Sequence, residues 1–91
     1  MKFEFKPSFD RSLRRFDYHR KAKIKEAVSI LIDFFETKIK PKGLGLKHLR
    51  GEYWEVRATI KDRMIFRFQG DIVEFIIAGT HDEIKNFLKH N

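Results

Sequence analysis

The sequence contains no cysteine, only two prolines and no long apolar run. Without cysteine there are neither disulfides nor thiolate metal clusters, and the composition suits a reducing compartment. The N-terminal residues lack the apolar stretch of a signal peptide, and no segment approaches the roughly 18 apolar residues that span a membrane. We therefore expect a cytoplasmic protein with no membrane association and no redox chemistry of its own.

Positive charge and phenylalanine are abundant. Twenty Lys and Arg against thirteen Asp and Glu give a formal charge of +7, which favours a polyanionic partner such as nucleic acid or an acidic protein segment. A well-solvated surface explains the charge alone equally well. Ten phenylalanines in 91 residues predict a tightly packed aromatic core, and this length predicts a single domain over residues 1–91.

Hydrophobic periodicity predicts the elements of the N-terminal half. The alternation from Lys2 to Lys6 is typical of a half-buried strand. Apolar residues at helical spacing predict one helix from Ser8 to Phe16, and a second that carries Ile24 to Phe35 on one face and ends near Thr37. The basic segment from Lys38 to Gly45 then predicts a loop, because it contains a proline and two glycines.

The C-terminal half predicts a sheet. Residues 53–60, with Ile60 among the inward positions, residues 63–68 and residues 71–79 predict three strands joined by two hairpins. This order predicts an α+β domain, in which an N-terminal strand and a helical hairpin pack on a mostly antiparallel four-stranded sheet with a short C-terminal helix. We expect the face away from the helices to carry Arg57, Arg63 and Arg67 as a concave basic surface.

His81 lies where the last predicted strand meets the C-terminal helix. Thr80 and Glu83 fit the capping-box pattern, which explains both of them structurally. His81 does not belong to that box, and the positive end of the helix dipole favours its neutral form. A neutral imidazole beside a basic surface is suited to proton transfer. A merely exposed histidine is the alternative interpretation.

Lys47, His48 and Arg50 form a second cluster, just before the tryptophan strand. A histidine flanked by cations is suited to act as a general base or to stack on a nucleobase. An exposed loop edge explains the same residues equally well.

Other kinds of site have no support in the sequence. The four histidines, His19, His48, His81 and His90, lack metal-ligand spacing. There is no phosphate-binding glycine motif and no serine or cysteine nucleophile motif, so we expect no metal and no cofactor. Arginine, lysine and histidine do suffice for cleavage of RNA by its own 2′-hydroxyl. That reaction needs a base, cations that stabilise the phosphorane and an acid for the leaving oxygen.

Nearly the whole chain resembles the RelE/ParE superfamily of bacterial toxins from type II toxin–antitoxin systems. The most specific matches are LKHLRGEYWEVR, residues 46–57, and DRMIFRF, residues 62–68. The ending GTHDEI, residues 79–84, is most similar to the YafQ-like branch, where a histidine follows glycine and threonine.

This resemblance implies a RelE-like fold and an endoribonuclease that cuts mRNA in the ribosomal A site, leaving a 2′,3′-cyclic phosphate. It implies proton transfer by His48 and His81, and contact of Arg63 with the scissile phosphate. The implied substrate-binding residues are Lys47, Arg50, Arg57 and Arg67. Several family nucleases have an aromatic residue directly after the catalytic basic residue, whereas Asp82 follows His81 here.

Two alternatives share the predicted fold: a ParE-like inhibitor of DNA gyrase, and a catalytically inactive relative that only binds an antitoxin. If His48 and His81 lie on one face near Arg63, the nuclease is favoured; if they point apart, the gyrase inhibitor is. The nuclease hypothesis implies the ribosome and mRNA as partners. All of these hypotheses imply a cognate antitoxin, whose acidic, partly disordered segment folds onto the helices or over the arginine surface.

Overall fold

The computed structural model describes residues 1–90. Its elements, in chain order, are β1 (Lys2–Phe5), α1 (Pro7–Arg14), α2 (Tyr18–Thr37), β2 (Lys47–His48), β3 (Tyr53–Arg57), β4 (Asp62–Gln69), β5 (Ile72–Thr80) and α3 (His81–Lys89). They form an α+β fold with one sheet in the order β1-β5-β4-β3-β2. β1 runs parallel to β5, and the other neighbouring strands are antiparallel.

The sheet has five strands rather than the four predicted. The additional strand is β2, in which Lys47 pairs with Glu55 and His48 with Trp54. A tight turn connects β2 to β3. It is closed by a hydrogen bond from the Leu49 N–H to the Tyr53 carbonyl at 3.0 Å. Two residues are too few to carry a period-two pattern, which is why the sequence indicated only a loop edge here.

Local sequence signals define the helices. Pro7 occupies the first turn of α1, where its missing N–H has no intrahelical partner to lose. The Asp17 carboxylate caps α2 by accepting from the Arg20 N–H at 2.8 Å. Lys38 ends α2 in the left-handed conformation, with φ 66°. No helix within residues 1–90 is long and apolar enough to cross a membrane.

The face of the sheet that α1 and α2 cover is here called the inner face. Its strand residues are Trp54, Val56, Met64, Phe66, Val73, Phe75 and Ala78, and they pack with both helices into the main core. Phe66 and Phe75 are fully buried, with ring centroids 6.3 Å apart. The predicted aromatic core is therefore present, and each such ring contributes about 1.5–3 kcal/mol through burial.

The opposite side is here called the arginine face. The register puts Arg57 opposite Arg63 and Tyr53 opposite Arg67, so the three arginines share this face as expected. It is not a purely charged surface, however. α3 packs against it through Ile84, which joins a small buried cluster with Ile65 and Ile76.

The prediction that Ile60 points inward is wrong, because that side chain is 91% exposed. β3 ends at Arg57, and the N–H groups of Ala58 and Thr59 both donate to the Asp62 carbonyl in a tight turn. The turn takes the chain out of the sheet before the apolar alternation ends.

Candidate functional site

A basic patch occupies the arginine face across β2, β3 and β4. We define it as Lys47, Arg57 and Arg63 around the carboxylate of Glu55, which is the cross-strand partner of Lys47. Lys47 and Arg57 are exposed and make no ion pair within residues 1–90. The patch therefore carries three cations against one carboxylate, an arrangement suited to an anionic ligand.

Glu55 holds Arg63 in one orientation. Arg63 Nη1 donates to Glu55 Oε1 at 2.9 Å, and the Glu55 side chain is 7% exposed. Arg63 Nε is buried and has no hydrogen-bond partner within residues 1–90, which costs about 1–3 kcal/mol in a folded protein. The guanidinium is thus fixed by a single carboxylate.

His81 begins α3 directly after β5, at the end of the sheet that carries Arg63. Gly79 is the cross-strand partner of Arg63, so their Cα atoms lie about 5 Å apart, and His81 follows two residues later. The imidazole is exposed, and it makes no hydrogen bond within residues 1–90. Sequence position and strand register together bring the backbone of His81 to the end of the sheet that carries Arg63.

The predicted capping box holds the backbone on both sides of His81. Glu83 Oε1 accepts from the Thr80 N–H at 2.8 Å, and Thr80 Oγ1 accepts from the Glu83 N–H at 3.3 Å. The Thr80 N–H lowers the pKa of Glu83 by stabilising its charged form. A Cβ at Gly79 would lie 3.1 Å from Glu83, so glycine allows the carboxylate to close the box.

His48 lies on the other side of the sheet. Its strand partner is Trp54, the two ring centroids are 4.7 Å apart, and Trp54 in turn stacks on Phe66 of the inner face. The His48 Nε2 atom is 2.9 Å from the Gly51 carbonyl oxygen. The structure therefore does not bring His48 together with Arg63 and His81, although Lys47, the preceding residue, is in the patch.

Arg50 and Arg67 are held by structural contacts. Arg50 donates to the carbonyl of Leu88 in α3. Arg67 Nε donates to Glu74 at 2.7 Å, and its Nη1 donates to Glu52 at 3.0 Å. The hydrogen bond to Glu74 raises the pKa of Arg67, and the same bond lowers the pKa of Glu74. Arg67 therefore has less unpaired charge available for a ligand than Lys47 and Arg57, and part of the Arg50 guanidinium is occupied.

Asp62 makes a contact that sequence analysis missed. It is 1% exposed, and its carboxylate accepts from Arg20 Nε at 2.9 Å and from Arg20 Nη2 at 2.8 Å. This bond raises the pKa of Arg20, whose guanidinium also lies 4.4 Å from the Phe16 ring centroid. The pair ties α2 to the start of β4, next to Arg63. The one signal in the sequence was an acidic residue at the start of an apolar strand.

Within residues 1–90, no group of three or more His, Asp or Glu side chains is arranged to hold a metal ion.

Several solved structures share this fold. The E. coli DinJ–YafQ complex matches with a TM-score of 0.71 and 18% identity over 91% of this chain and 96% of that chain. The RelB–RelE antitoxin–toxin complex from Methanococcus jannaschii gives 0.68 and 17%, over 92% and 96%. A YoeB/ParE toxin from Agrobacterium tumefaciens gives 0.63 and 27%, over 89% and 99%.

The chain has the RelE/ParE toxin fold. No model of a known protein family matches the sequence, and no curated protein matches it. The RelE/ParE fold confirms the resemblance drawn from residues 46–57, 62–68 and 79–84, with five strands instead of four. Two of these solved structures are toxins in complex with their antitoxins.

Proposed function

We propose that this protein is the toxin of a type II toxin–antitoxin pair and an endoribonuclease that cuts mRNA in the ribosomal A site. The observation that carries this proposal is the basic patch of Lys47, Arg57 and Arg63, with His81 two residues beyond Gly79, the strand partner of Arg63. The RelE, YafQ and YoeB toxins of the same fold support it. Fold alone does not determine chemistry, so the proposal rests on these side chains.

The proposed reaction is attack of the RNA 2′-hydroxyl on the neighbouring phosphate, without a metal. Arg63 and Arg57 stabilise the charge that develops on the phosphorane oxygens. His81 protonates the departing 5′ oxygen as general acid. Because His48 lies on the inner face, the 2′-hydroxyl proton passes to solvent at the exposed patch. The products are a 2′,3′-cyclic phosphate and a 5′-hydroxyl end.

The separation of His48 from His81 favours a second candidate, a ParE-like inhibitor of DNA gyrase. Such an inhibitor needs a basic fold that binds, but no pair of proton-transfer groups. An inactive relative that only binds an antitoxin would keep the fold in the same way.

Primer extension on an mRNA in a reconstituted translation reaction tests these candidates. Wild type, His81→Ala and His48→Ala are compared, with and without ribosomes. We expect cuts at A-site codons that require ribosomes, a loss of roughly 100-fold or more in His81→Ala, and near wild-type cutting in His48→Ala. Absence of cleavage together with inhibition of gyrase supercoiling would instead establish the second candidate.

A cognate antitoxin and a cytoplasmic location complete the proposal. The formal charge of +7 suits an acidic antitoxin segment, since complementary charge accelerates association. Copurification of the His81→Ala variant with the antitoxin, at wild-type affinity, is the expected result. Loss of this binding would mean that His81 belongs to the antitoxin interface.

A further inference from the structure

Two arginines near the connection between α1 and α2 reach the end of the sheet where the candidate site lies. Arg20 Nε and Nη2 donate to the two carboxylate oxygens of Asp62 at 2.9 and 2.8 Å. Arg15 Nη2 lies 3.5 Å from Glu83 Oε2. We call these two ion pairs the arms of the α1–α2 clamp. The clamp joins one short segment of chain to the start of β4 and to the first turn of α3.

The two arms differ in strength. The Asp62 side chain is 2% exposed and the Arg20 side chain 29%, and the Arg20 guanidinium also lies over the ring of Phe16. The side chains of the other arm, Arg15 and Glu83, are 62% and 40% exposed, so water screens that pair. The arm from Arg20 to Asp62 should therefore contribute most.

Asp62 passes this constraint to the backbone of the site. Its carbonyl accepts from the N–H groups of Ala58 and Thr59 at 2.9 and 3.1 Å, and its own N–H donates to Thr59 Oγ1 at 2.9 Å. With the two bonds from Arg20, every polar group of Asp62 has a partner. Arg63, the next residue, therefore extends from a backbone that is held on several sides.

The start of α3 is tied to the same place. Asp62 is the cross-strand partner of Thr80, the residue directly before His81. Thr80 and Glu83 hold each other in the capping box. The Thr80 N–H, and after it the charge of Arg15, lowers the pKa of Glu83. Each arm of the clamp thus ends one or two residues away from a residue of the candidate site.

We infer that the α1–α2 clamp sets the positions from which Arg63 and His81 act, an inference that rests on the proposed function. Arg15 and Arg20 are positioning residues rather than catalytic ones, because their guanidinium groups are bound to carboxylates. A displacement of about 1 Å, caused by a mutation far from the chemistry, can lower a rate roughly 100-fold. The loss of an arm should therefore slow cleavage without removing any group that touches RNA.

Hydrogen exchange of the free protein tests the clamp without RNA. Arg20→Met should speed exchange of the Ala58 N–H about tenfold, because the Asp62 carbonyl that binds it is no longer held. The Leu49 N–H, bonded to Tyr53 at the other end of β3, should change much less. Equal acceleration of both N–H groups would mean a general loss of stability and would overturn the clamp. Unchanged exchange at Ala58 would overturn it as well.

Arg15→Met tests the weaker arm. It should speed exchange of the Thr80 N–H, which Glu83 Oε1 binds at 2.8 Å, by about twofold, and leave the Ala58 N–H unchanged. Arg14→Met is the matched control, because Arg14 is exposed and makes no ion pair within residues 1–90. Equal exchange of the Thr80 N–H in the two variants would overturn the role of Arg15.

Cleavage by the folded variants is the second readout. In the reconstituted translation reaction with excess ribosomes, Arg20→Met should cut about tenfold more slowly than wild type. The ribosome concentration that gives half the maximal rate should change less than about twofold, since no group that binds RNA is removed. Phe68→Ala lowers stability away from the clamp, at a ring 36% exposed, and should cut like wild type once folded.

Arg20→Lys keeps the charge opposite Asp62, so it should recover part of the cutting rate, and it carries the test if Arg20→Met does not fold. A wild-type rate in folded Arg20→Met, or wild-type exchange and rate in Arg20→Lys, would overturn the positioning role. Absence of cleavage by the wild-type protein would instead contradict the proposed nuclease, while hydrogen exchange would still report on the clamp by itself.

Discussion

The inner face and the arginine face belong to the same strands, yet different forces hold them together. On the inner face Met64 and Phe66 are fully buried among apolar side chains, and their contacts are non-directional. On the arginine face Arg63 and Arg67, from the same strand, each depend on particular carboxylates. A change on the inner face should therefore lower the free energy of unfolding. A conservative change on the arginine face should instead affect the proposed cleavage of RNA.

The neighbouring residues Lys47 and His48 illustrate how sharply the sheet separates the two faces. Successive side chains in a strand point to opposite sides, so Lys47 lies beside Glu55 while the His48 ring contacts Trp54. A motif that is continuous in sequence is thus divided between the basic patch and the edge of the core.

The largest expected effect is on the inner face, where Phe66→Ala removes a fully buried ring. Such a truncation costs about 3–5 kcal/mol, which is a large part of the roughly 5–15 kcal/mol that stabilises a small domain. Urea denaturation followed by circular dichroism measures the change. The control is Phe68→Ala, at a ring 36% exposed, which should cost clearly less; equal losses would contradict the proposed difference between the faces.

Asp62 is a buried charged residue on the inner side of β4, where its neighbours are apolar. Asp62→Ala tests how much its ion pair with Arg20 contributes to stability. The change leaves the guanidinium of Arg20 without its partner. Breaking a buried pair costs about 3–5 kcal/mol; because Arg20 is partly exposed, we expect about 2–3 kcal/mol in urea denaturation. Asp71→Ala, at an exposed turn residue, should be near neutral. A neutral Asp62→Ala would mean that apolar packing alone fixes α2 on the sheet.

On the arginine face, Arg63→Lys should separate chemistry from folding. Lysine keeps the charge opposite Glu55, but it lacks the planar fork that can contact a carboxylate and a phosphate together. We expect cleavage of ribosome-bound mRNA to fall about 10- to 100-fold, while the free energy of unfolding changes by less than about 1 kcal/mol. Arg67→Lys, away from the patch, should leave cleavage near wild type. A loss of stability in Arg63→Lys as large as its loss of activity would contradict the separation.

The smallest effect expected is a pH dependence that arises from Glu74 on the arginine face. Hydrogen bonds from Arg67, and then from Lys6, lower the pKa of Glu74 below its usual value of 4.5. A lowered folded-state pKa contributes stability that is present above about pH 4.5 and is lost as the pH falls through the folded value. Urea midpoints measured from pH 7 to pH 3 should therefore decline at the acidic end. The decline should be smaller in Glu74→Gln than in the exposed-site control Glu36→Gln, and equal declines would rule out Glu74 as a source.

Local patterns were sufficient to predict much of this fold. The alternation of residues predicted that Arg57, Arg63 and Arg67 share one face, and they do. The capping box predicted at Thr80 and Glu83 is also present. The long-range features had no local signal. Arg20 and Asp62 are 42 residues apart, and no periodicity relates them. For the same reason the face of His48 depended on the register of β2 against β3, which the sequence alone did not define.

The parallel pairing of β1 with β5 sets an order of events during synthesis. Lys2 lies opposite Ile72, so β1 must wait for a partner that is made roughly 70 residues later, a connection that is slow to close. Until then the ring of Phe5 lacks the stacked ring of Phe75, 4.8 Å away in the finished protein. His81 follows β5 and is made later still. A chain made only as far as β4 therefore lacks Phe75 from its core and His81 from the candidate site.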